Sequence, residues 1–177
     1  MPEKIRILGI DPGTRYTGIG IIDRFGNQLK HVYSDTIITV KEKNLEEKLF
    51  LIFNGIKAVI EEFKPDAAGI EKIFHSVNVH SSLILGHARG VAMLGVRSHN
   101  IELREFAPTE VKSAVVGVGR AAKAQVAAMV RILLNLDRQK KMREDESDAL
   151  AIAICFANTL NYQNYKVASV TKSISNK

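Results

Sequence analysis

Four acidic residues stand apart from the scattered charges of this sequence. Asp11 ends an apolar run before a Pro-Gly pair, Glu71 lies inside a second apolar run, and Asp145 and Asp148 stand three residues apart before a third. Carboxylates that share one cleft repel one another, and a hard divalent cation such as Mg²⁺ relieves the repulsion because it prefers oxygen ligands. Two such ions about 3.5–4 Å apart suit phosphodiester cleavage. The acids therefore predict a magnesium site in which Asp11 bridges both ions.

Each acid also has an ordinary structural interpretation. Asp145 or Ser147 could be the N-cap of the last helix, Glu71 could pair with a cation such as Arg89, and Asp11 could be a turn acid. Two acids embedded in strands plus an acidic pair on one helix face are harder to explain together in this way.

The positive charge of the chain is concentrated in one segment. The net charge is +6, and residues 97–143 hold 10 basic and 4 acidic side chains. Such a segment suits a polyanion such as nucleic acid, although a solvated basic face would look the same by charge alone.

The elements that must position the acids follow from the hydrophobic pattern. Apolar runs at 5–11, 19–22 and 28–40 are joined by short turns and predict an antiparallel meander. An amphipathic helix from Asn44 to Lys64 then crosses over to a strand at 67–73, which should be parallel to the first.

Helices and one more strand complete the pattern. A helix at 76–97, a strand at 101–106, a short helix from Pro108, and helices at 121–136 and 148–160 are predicted. The result is an α/β fold, with a five-stranded mixed sheet flanked by helices.

The helix at 76–97 carries a stripe of small residues. Gly86 and Gly90, with Ala88 or Ala92, would let another helix or surface approach closely. The stripe is explained equally well by tight packing on the sheet and by a subunit interface.

Length and composition suggest a single domain. Of the 177 residues, 1–158 are predicted to form it and 159–177 to be a mobile tail. The sequence shows no membrane span and no signal peptide. Its single cysteine, Cys155, can make no internal disulfide, so a cytoplasmic setting is expected.

Four motifs in order resemble the RuvC family of Holliday-junction resolvases. They are LGIDPGTRYTGIGII, GIEKIF with LGHARGVA, PTEVKSAVVGVGRAAKAQV and DESDALAIAIC. The resemblance runs from about residue 5 to 158. It implies a ribonuclease H-like fold and Mg²⁺-dependent cleavage of four-way DNA junctions by paired symmetric nicks.

The resemblance also implies roles for particular residues. The catalytic and metal-binding acids fall on the four carboxylates above, the functional lysines on Lys112 and Lys123, and an aromatic that stacks on an unpaired base on Phe74. Arg89 and Arg120 are expected to contact DNA with them. Two Mg²⁺ ions per site, with Mn²⁺ able to substitute, a homodimer, and a partnership with a RuvA-RuvB-type branch-migration complex in recombination and repair are the further expectations.

Two other function classes are compatible with part of this sequence. An actin-like sugar kinase or ATPase shares the Gly-Ile-Asp-x-Gly-Thr hairpin, but normally needs two such domains and a longer chain. A junction-binding protein without catalysis would be expected to lack at least one of the four acids. One departure from the family pattern is the basic segment 137–144, which could add phosphate contacts.

Overall fold

The computed structural model describes residues 3–72, 79–137 and 141–160 of the chain. Five strands form one sheet: β1 Lys4–Asp11, β2 Tyr16–Phe25, β3 Gln28–Ile38, β4 Ala67–Glu71 and β5 Glu102–Phe106. Their order is β3-β2-β1-β4-β5, with β1 to β3 antiparallel and β4 parallel to both β1 and β5. The predicted mixed sheet, a meander followed by parallel strands, is confirmed.

Helices cover both faces of the sheet. They are α1 Leu45–Phe63, α2 Val79–Arg97, α3 Pro108–Val116, α4 Lys123–Leu133 and α5 Glu144–Thr159. Alternate residues of β1 face opposite cores, since Ile7 belongs to the core under α3, α4 and α5, and Leu8 and Ile10 to the core under α1 and α2. The sheet is therefore buried on both faces, and its ends are the places where polar side chains can collect.

Some boundaries differ from the predictions. β2 runs over 16–25 rather than 19–22, and α4 ends at Leu133 rather than 136. The last helix begins at Glu144, not at 148, and its N-cap is Arg143, whose backbone N–H donates to Glu146 Oε1 over 3.3 Å. The prediction of Asp145 or Ser147 as the N-cap is therefore wrong, because Glu146 supplies the side-chain oxygen at this end of the helix.

The end of α5 revises the predicted tail. Thr159 is the exposed last residue of the helix and Leu160 is only 6% exposed, so the first residue of the predicted tail continues the helix and the second packs on the fold. Residues 161–177 lie outside the described residues, and the single domain remains a prediction. Among the described helices, none combines the length and the apolar character that crossing a membrane requires.

α5 lies on a strip of glycines in β1 and β2. A Cβ built on Gly18 would overlap the backbone oxygen of Asp145, and one built on Gly9 would overlap that of Ala149. Side chains are excluded at these positions because the helix backbone occupies the space. The glycines thereby set how closely the first turn of α5 approaches the end of β1.

A charged pair ties the other end of the sheet together. Arg6 of β1 and Asp23 of β2 are direct neighbours in the ladder, and Arg6 donates from Nε and Nη2 to the two carboxylate oxygens over 2.7 and 2.9 Å. Arg6 Nη1 also donates to the Phe63 carbonyl over 2.8 Å. The bonds from Arg6 hold the pKa of Asp23 below its ordinary value, and Asp23 is only 6% exposed.

Replacing Asp23 with Asn is expected to lower the free energy of unfolding by about 2–3 kcal/mol at neutral pH, because Arg6 loses its ionised partner. A carboxyl whose pKa is depressed by folding stabilises the fold above its unfolded pKa and loses that effect as the pH falls through the folded value. The difference between the wild type and Asp23→Asn should therefore shrink as the pH falls below about 4. Urea unfolding at several pH values measures it, and a difference that stays constant down to pH 3 would contradict the assignment.

Candidate active site

The ends of the two central strands place two predicted acids side by side. β1 ends at Asp11 and its parallel neighbour β4 ends at Glu71. The ladder between them pairs Ile10 with Ile70, one residue before each acid. Because parallel strands present their carboxyl ends at the same edge, both acids lie at one edge of the sheet.

The first turn of α5 brings the other two acids to that edge. Asp11 is paired with Gly18 in the β1–β2 ladder, and the backbone of Asp145 rests on Gly18. Asp148, one turn further along, lines the same cleft as Asp11 and Glu71. The structure thus brings Asp11, Glu71 and Asp148 into one cleft, whereas Asp145 does not line it and has its Oδ2 3.6 Å from Arg143 Nε.

Burial and mutual repulsion change the ionisation of these acids. The pKa of Asp11 is raised to about 8, first by burial and then by the charges of Asp148, Glu71 and Asp145. The pKa values of Glu71 and Asp148 are also raised, with burial again the largest cause. Without a cation these acids are therefore driven toward protonation, and a bound cation would favour their ionised forms.

Both predicted lysines, Lys112 and Lys123, line the same cleft as the acids. Lys123 donates a hydrogen bond from Nζ to Glu144, and Nζ lies 3.4 Å from Asp148 Oδ2. The bond to Glu144 is the main reason that the pKa of Lys123 is raised. Lys112 lines the cleft, and its charge opposes the increase in the pKa of Glu71.

The cleft has a volume of about 280 Å³. It is lined by three of the acids, both lysines and an apolar wall: Asp11, Glu71, Asp148, Lys112, Lys123, Pro108, Val111, Val126, Ala151 and Ile152. No histidine or cysteine is among these described lining residues. The donors are carboxylate oxygens, the ligands of hard divalent cations.

The donor chemistry fits Mg²⁺, but the carboxylates are not yet arranged around an ion. Within residues 3–72, 79–137 and 141–160, no three acidic, histidine or cysteine side chains are placed so that they could hold a metal as they stand. Lys123 contacts Asp148 in this arrangement.

The three other residues predicted to contact DNA differ in their surroundings. Arg120 is exposed in the link between α3 and α4. Arg89 is mostly buried, and its guanidinium contacts the backbone carbonyl of Glu71 and the carboxylate of Glu105. Phe74 lies outside the described residues.

A second cleft adjoins the first. It measures about 440 Å³ between α4 and the start of α5, and Lys123 and Asp148 line both clefts. Arg131 and Arg143 line its far side, and the Arg143 guanidinium lies 4.3 Å from the ring centre of Tyr16. Two arginines of the positively charged segment 97–143 therefore lie close to Asp148.

Glu144 was not predicted as a site residue. It appeared in the sequence as one of several charges in a predicted loop, and only the start of α5 at this residue places it against Lys123. Its position one turn before Asp148 on the helix is the signal that could have identified it.

Comparison with known proteins gives a consistent result. The family model "Crossover junction endodeoxyribonuclease RuvC" matches residues 7–156. The protein of that name from Syntrophotalea carbinolica is 50% identical over 154 residues, covering 87% of this chain and 94% of the relative. The one from Geotalea uraniireducens is 46% identical over 155 residues, covering 88% of this chain and 90% of the relative.

Solved structures show the same fold. Thermus thermophilus RuvC superimposes with a TM-score of 0.78 at 27% identity, over 87% of this chain and 94% of the other. The same protein in complex with Holliday junction substrate gives a TM-score of 0.79 at 27% identity, over 86% and 93%. The predicted ribonuclease H-like fold is confirmed by these matches. The chain belongs to the RuvC family of crossover junction endodeoxyribonucleases, nucleases that hydrolyse phosphodiester bonds.

Proposed function

We propose that this protein resolves four-way DNA junctions by metal-dependent hydrolysis, cutting two strands of like polarity symmetrically. The observation that carries the proposal is the single cleft at the ends of β1 and β4, in which acids and lysines meet. The relative solved with Holliday junction substrate supports the choice of DNA structure. Homologous recombination and DNA repair are the processes that need this reaction.

The acids are proposed to hold two Mg²⁺ ions. The charges of all three other acids act on Asp11 and raise its pKa, which suits a ligand shared by both ions; Glu71, Asp145 and Asp148 complete the set. Bound ions would activate a water molecule and stabilise the leaving oxygen. Mn²⁺ should substitute, because it accepts the same oxygen ligands.

The lysines are proposed to hold the DNA strand at the cleft. Lys123 is 68% exposed while it contacts Glu144 and Asp148, so it can exchange a carboxylate for a phosphate oxygen. Lys112, on α3, also lines the cleft. Arg120 as a phosphate contact and Phe74 as a stacking residue remain predictions from the family resemblance.

A homodimer is proposed through the outer face of α2. Val79, Leu83 and Leu94 are 72%, 60% and 60% exposed, and no described atom lies within 4 Å of a Cβ built on Gly86 or Gly90. All five positions follow helical spacing along one face. Packing on the sheet is therefore the wrong explanation for these two glycines, although the neighbouring Ala88 and Ala92 do face the core. Two subunits would supply the two active sites that a symmetric junction requires.

Leu83→Glu is expected to convert the dimer to a folded monomer, because a charge would be buried at the centre of the apolar face. Ile132→Glu is the matched control, since Ile132 on α4 is also 60% exposed. Sedimentation velocity measures the oligomeric state. If Leu83→Glu stayed dimeric, or if the wild type were monomeric at micromolar concentration, the proposed interface would be wrong.

The cellular setting is proposed on family membership. A RuvA-RuvB-type branch-migration complex is the expected partner and the cytoplasm the expected location. The buried free thiol of Cys155, whose pKa burial raises to about 12, is compatible with a reducing compartment.

The substrate class is tested by incubating the protein with a labelled four-way junction and with linear duplex of the same sequence, each in Mg²⁺, Mn²⁺ or EDTA. Cleavage of the junction alone, abolished by EDTA, is expected. Cleavage of both DNAs at similar rates, or cleavage in EDTA, would contradict the proposal. Binding without cleavage by a folded dimer would favour a junction-binding protein instead.

A further inference from the structure

Arg89 of α2 has contacts that differ from those of a surface cation. Its Nε donates to the backbone carbonyl of Glu71 over 3.1 Å, and its Nη2 forms an ion pair with the carboxylate of Glu105 on β5. Its side chain is only 17% exposed. The guanidinium is therefore committed to two neighbouring strands, and little of it remains available to a phosphate.

The carbonyl that Arg89 contacts belongs to the last residue of β4. The β4–β5 ladder ends at the pair of Glu71 and Phe106, with a final bond from Lys72 N–H to the Phe106 carbonyl over 2.8 Å. The Glu71 carbonyl belongs to the same peptide unit as this N–H, so the sheet holds one side of the peptide and Arg89 holds the other. A charged donor on that carbonyl restricts rotation of the peptide and so limits where the Glu71 carboxylate can lie.

Glu105 holds Arg89 in place from the other side. It is the β5 residue paired with Ile70, and its carboxylate engages Nη2 while Nε engages Glu71. Because the guanidinium is planar and has fixed donor directions, two simultaneous contacts fix its orientation. The arrangement runs from α2 through Arg89 to the edge of the active site.

We propose that Arg89 is a positioning residue, which fixes the carboxylate of Glu71 for metal binding by holding the backbone of Glu71 and is itself held by Glu105. The inference rests on the proposed function for the identity of the ligand, a hard divalent cation. It also connects the two proposals above, because Arg89 lies on the same helix as the proposed dimer face, next to Gly90. The helix that would contact the second subunit therefore also holds the end of β4.

Arg97→Ala provides a matched control for Arg89→Ala. Arg97 lies on the same helix and its Nη1 donates to a backbone carbonyl, that of Ile101, over 3.0 Å, at the end of β5 away from the cleft. Both variants lose one arginine and one bond to a carbonyl. Only Arg89→Ala should change how tightly the acids bind a metal ion.

The first readout is Mn²⁺ affinity, measured by calorimetric titration of the protein without DNA. Arg89→Ala is expected to weaken it by about 10–100-fold, as loss of a residue that supports a ligand does, and Arg97→Ala should stay near the wild-type value. Arg89→Lys should recover part of the loss, since an ammonium can still donate to the Glu71 carbonyl. Junction affinity in EDTA, measured at several salt concentrations, should be the same for Arg89→Ala and the wild type.

Several outcomes would overturn the inference. Arg89→Ala with wild-type Mn²⁺ affinity would do so, as would a loss of junction affinity with a smaller salt slope, which would make Arg89 a phosphate contact. If Arg89→Ala failed to fold, Glu105→Gln would replace it, and unchanged Mn²⁺ affinity in that variant would count against the proposal. If the wild type cut no junction but Arg89→Ala still lost Mn²⁺ affinity, the proposed function would fail and the positioning role would stand.

Discussion

Asp11→Asn is expected to abolish cleavage while making the metal-free protein more stable. Loss of the central acid removes stabilisation of several kcal/mol that bound metal would supply, a decrease in rate of about 10³-fold or more. Junction binding in EDTA should persist, because Lys112, Lys123 and the arginines that line the second cleft are unchanged. The same substitution removes a buried charge that three other acids repel.

The sign of the stability effect follows from the pKa of Asp11. Folding raises that pKa to about 8, so at neutral pH the folded state must either take up a proton at Asp11 or bury its charge, and both destabilise the fold; the effect disappears as the pH falls toward the unfolded value. The asparagine variant should gain about 1–3 kcal/mol in free energy of unfolding at pH 7.5, after allowance for partial solvent access. Mg²⁺ should stabilise the wild type more than the variant.

Thermal unfolding with and without Mg²⁺, together with gel assays of binding and cleavage, measures all these effects. Glu62→Gln is the matched control, because Glu62 is an exposed acid on α1 that does not line the cleft. An Asp11→Asn variant that is less stable than the wild type without metal would show that Asp11 has a structural role. If Asp11→Asn retained cleavage, Asp11 would not be a catalytic residue.

Gly18→Ala is expected to damage stability and catalysis together. The added Cβ would overlap the backbone oxygen of Asp145, so the first turn of α5 must move away from the sheet. A forced shift of packed backbone costs about 3 kcal/mol or more. Displacement of Asp145 and Asp148 by about 1 Å would lower the cleavage rate by about 10²-fold.

Gly55→Ala is the control for the glycine substitution. A Cβ on Gly55 would lie 2.7 Å from Ile37 Cδ1, the end of a side chain that can rotate, whereas the obstacle at Gly18 is backbone. Denaturant unfolding and single-turnover cleavage compare the two variants. Equal, small effects would mean that α5 can move without consequence and that its contact with Gly18 does not position the acids.

The sequence was most informative where chemistry and periodicity coincide. Asp11 and Glu71 could be placed at one edge of the sheet because a crossover helix makes their strands parallel. Asp145 and Asp148 could be placed on one helix face by their spacing. The glycines of β2 could not be understood in this way, because their role depends on a helix more than 120 residues away in the chain.

The sequence did not determine which side chains contact each other, or which face of a helix packs on the core. Arg89 was predicted both as a possible partner of Glu71 and as a cation for DNA, and only the packing of α2 against β4 and β5 shows that it contacts the Glu71 backbone carbonyl and pairs with Glu105. The stripe of small residues on α2 likewise did not show which of its members face the core. Gly86 and Gly90 face outward while Ala88 and Ala92 face the core, since positions two residues apart lie on different sides of a helix.

The most direct test of the central claim uses a supercoiled plasmid that extrudes a cruciform. Two coordinated, symmetric nicks across the extruded junction convert the plasmid to linear DNA, whereas a single nick gives an open circle. The wild type with Mg²⁺ should give linear product from the cruciform plasmid and none from a plasmid without the inverted repeat. Open circles alone, or no cutting by a folded protein that binds the cruciform, would contradict the account of a paired resolvase built around the cleft of Asp11, Glu71 and Asp148, with Asp145 beside it.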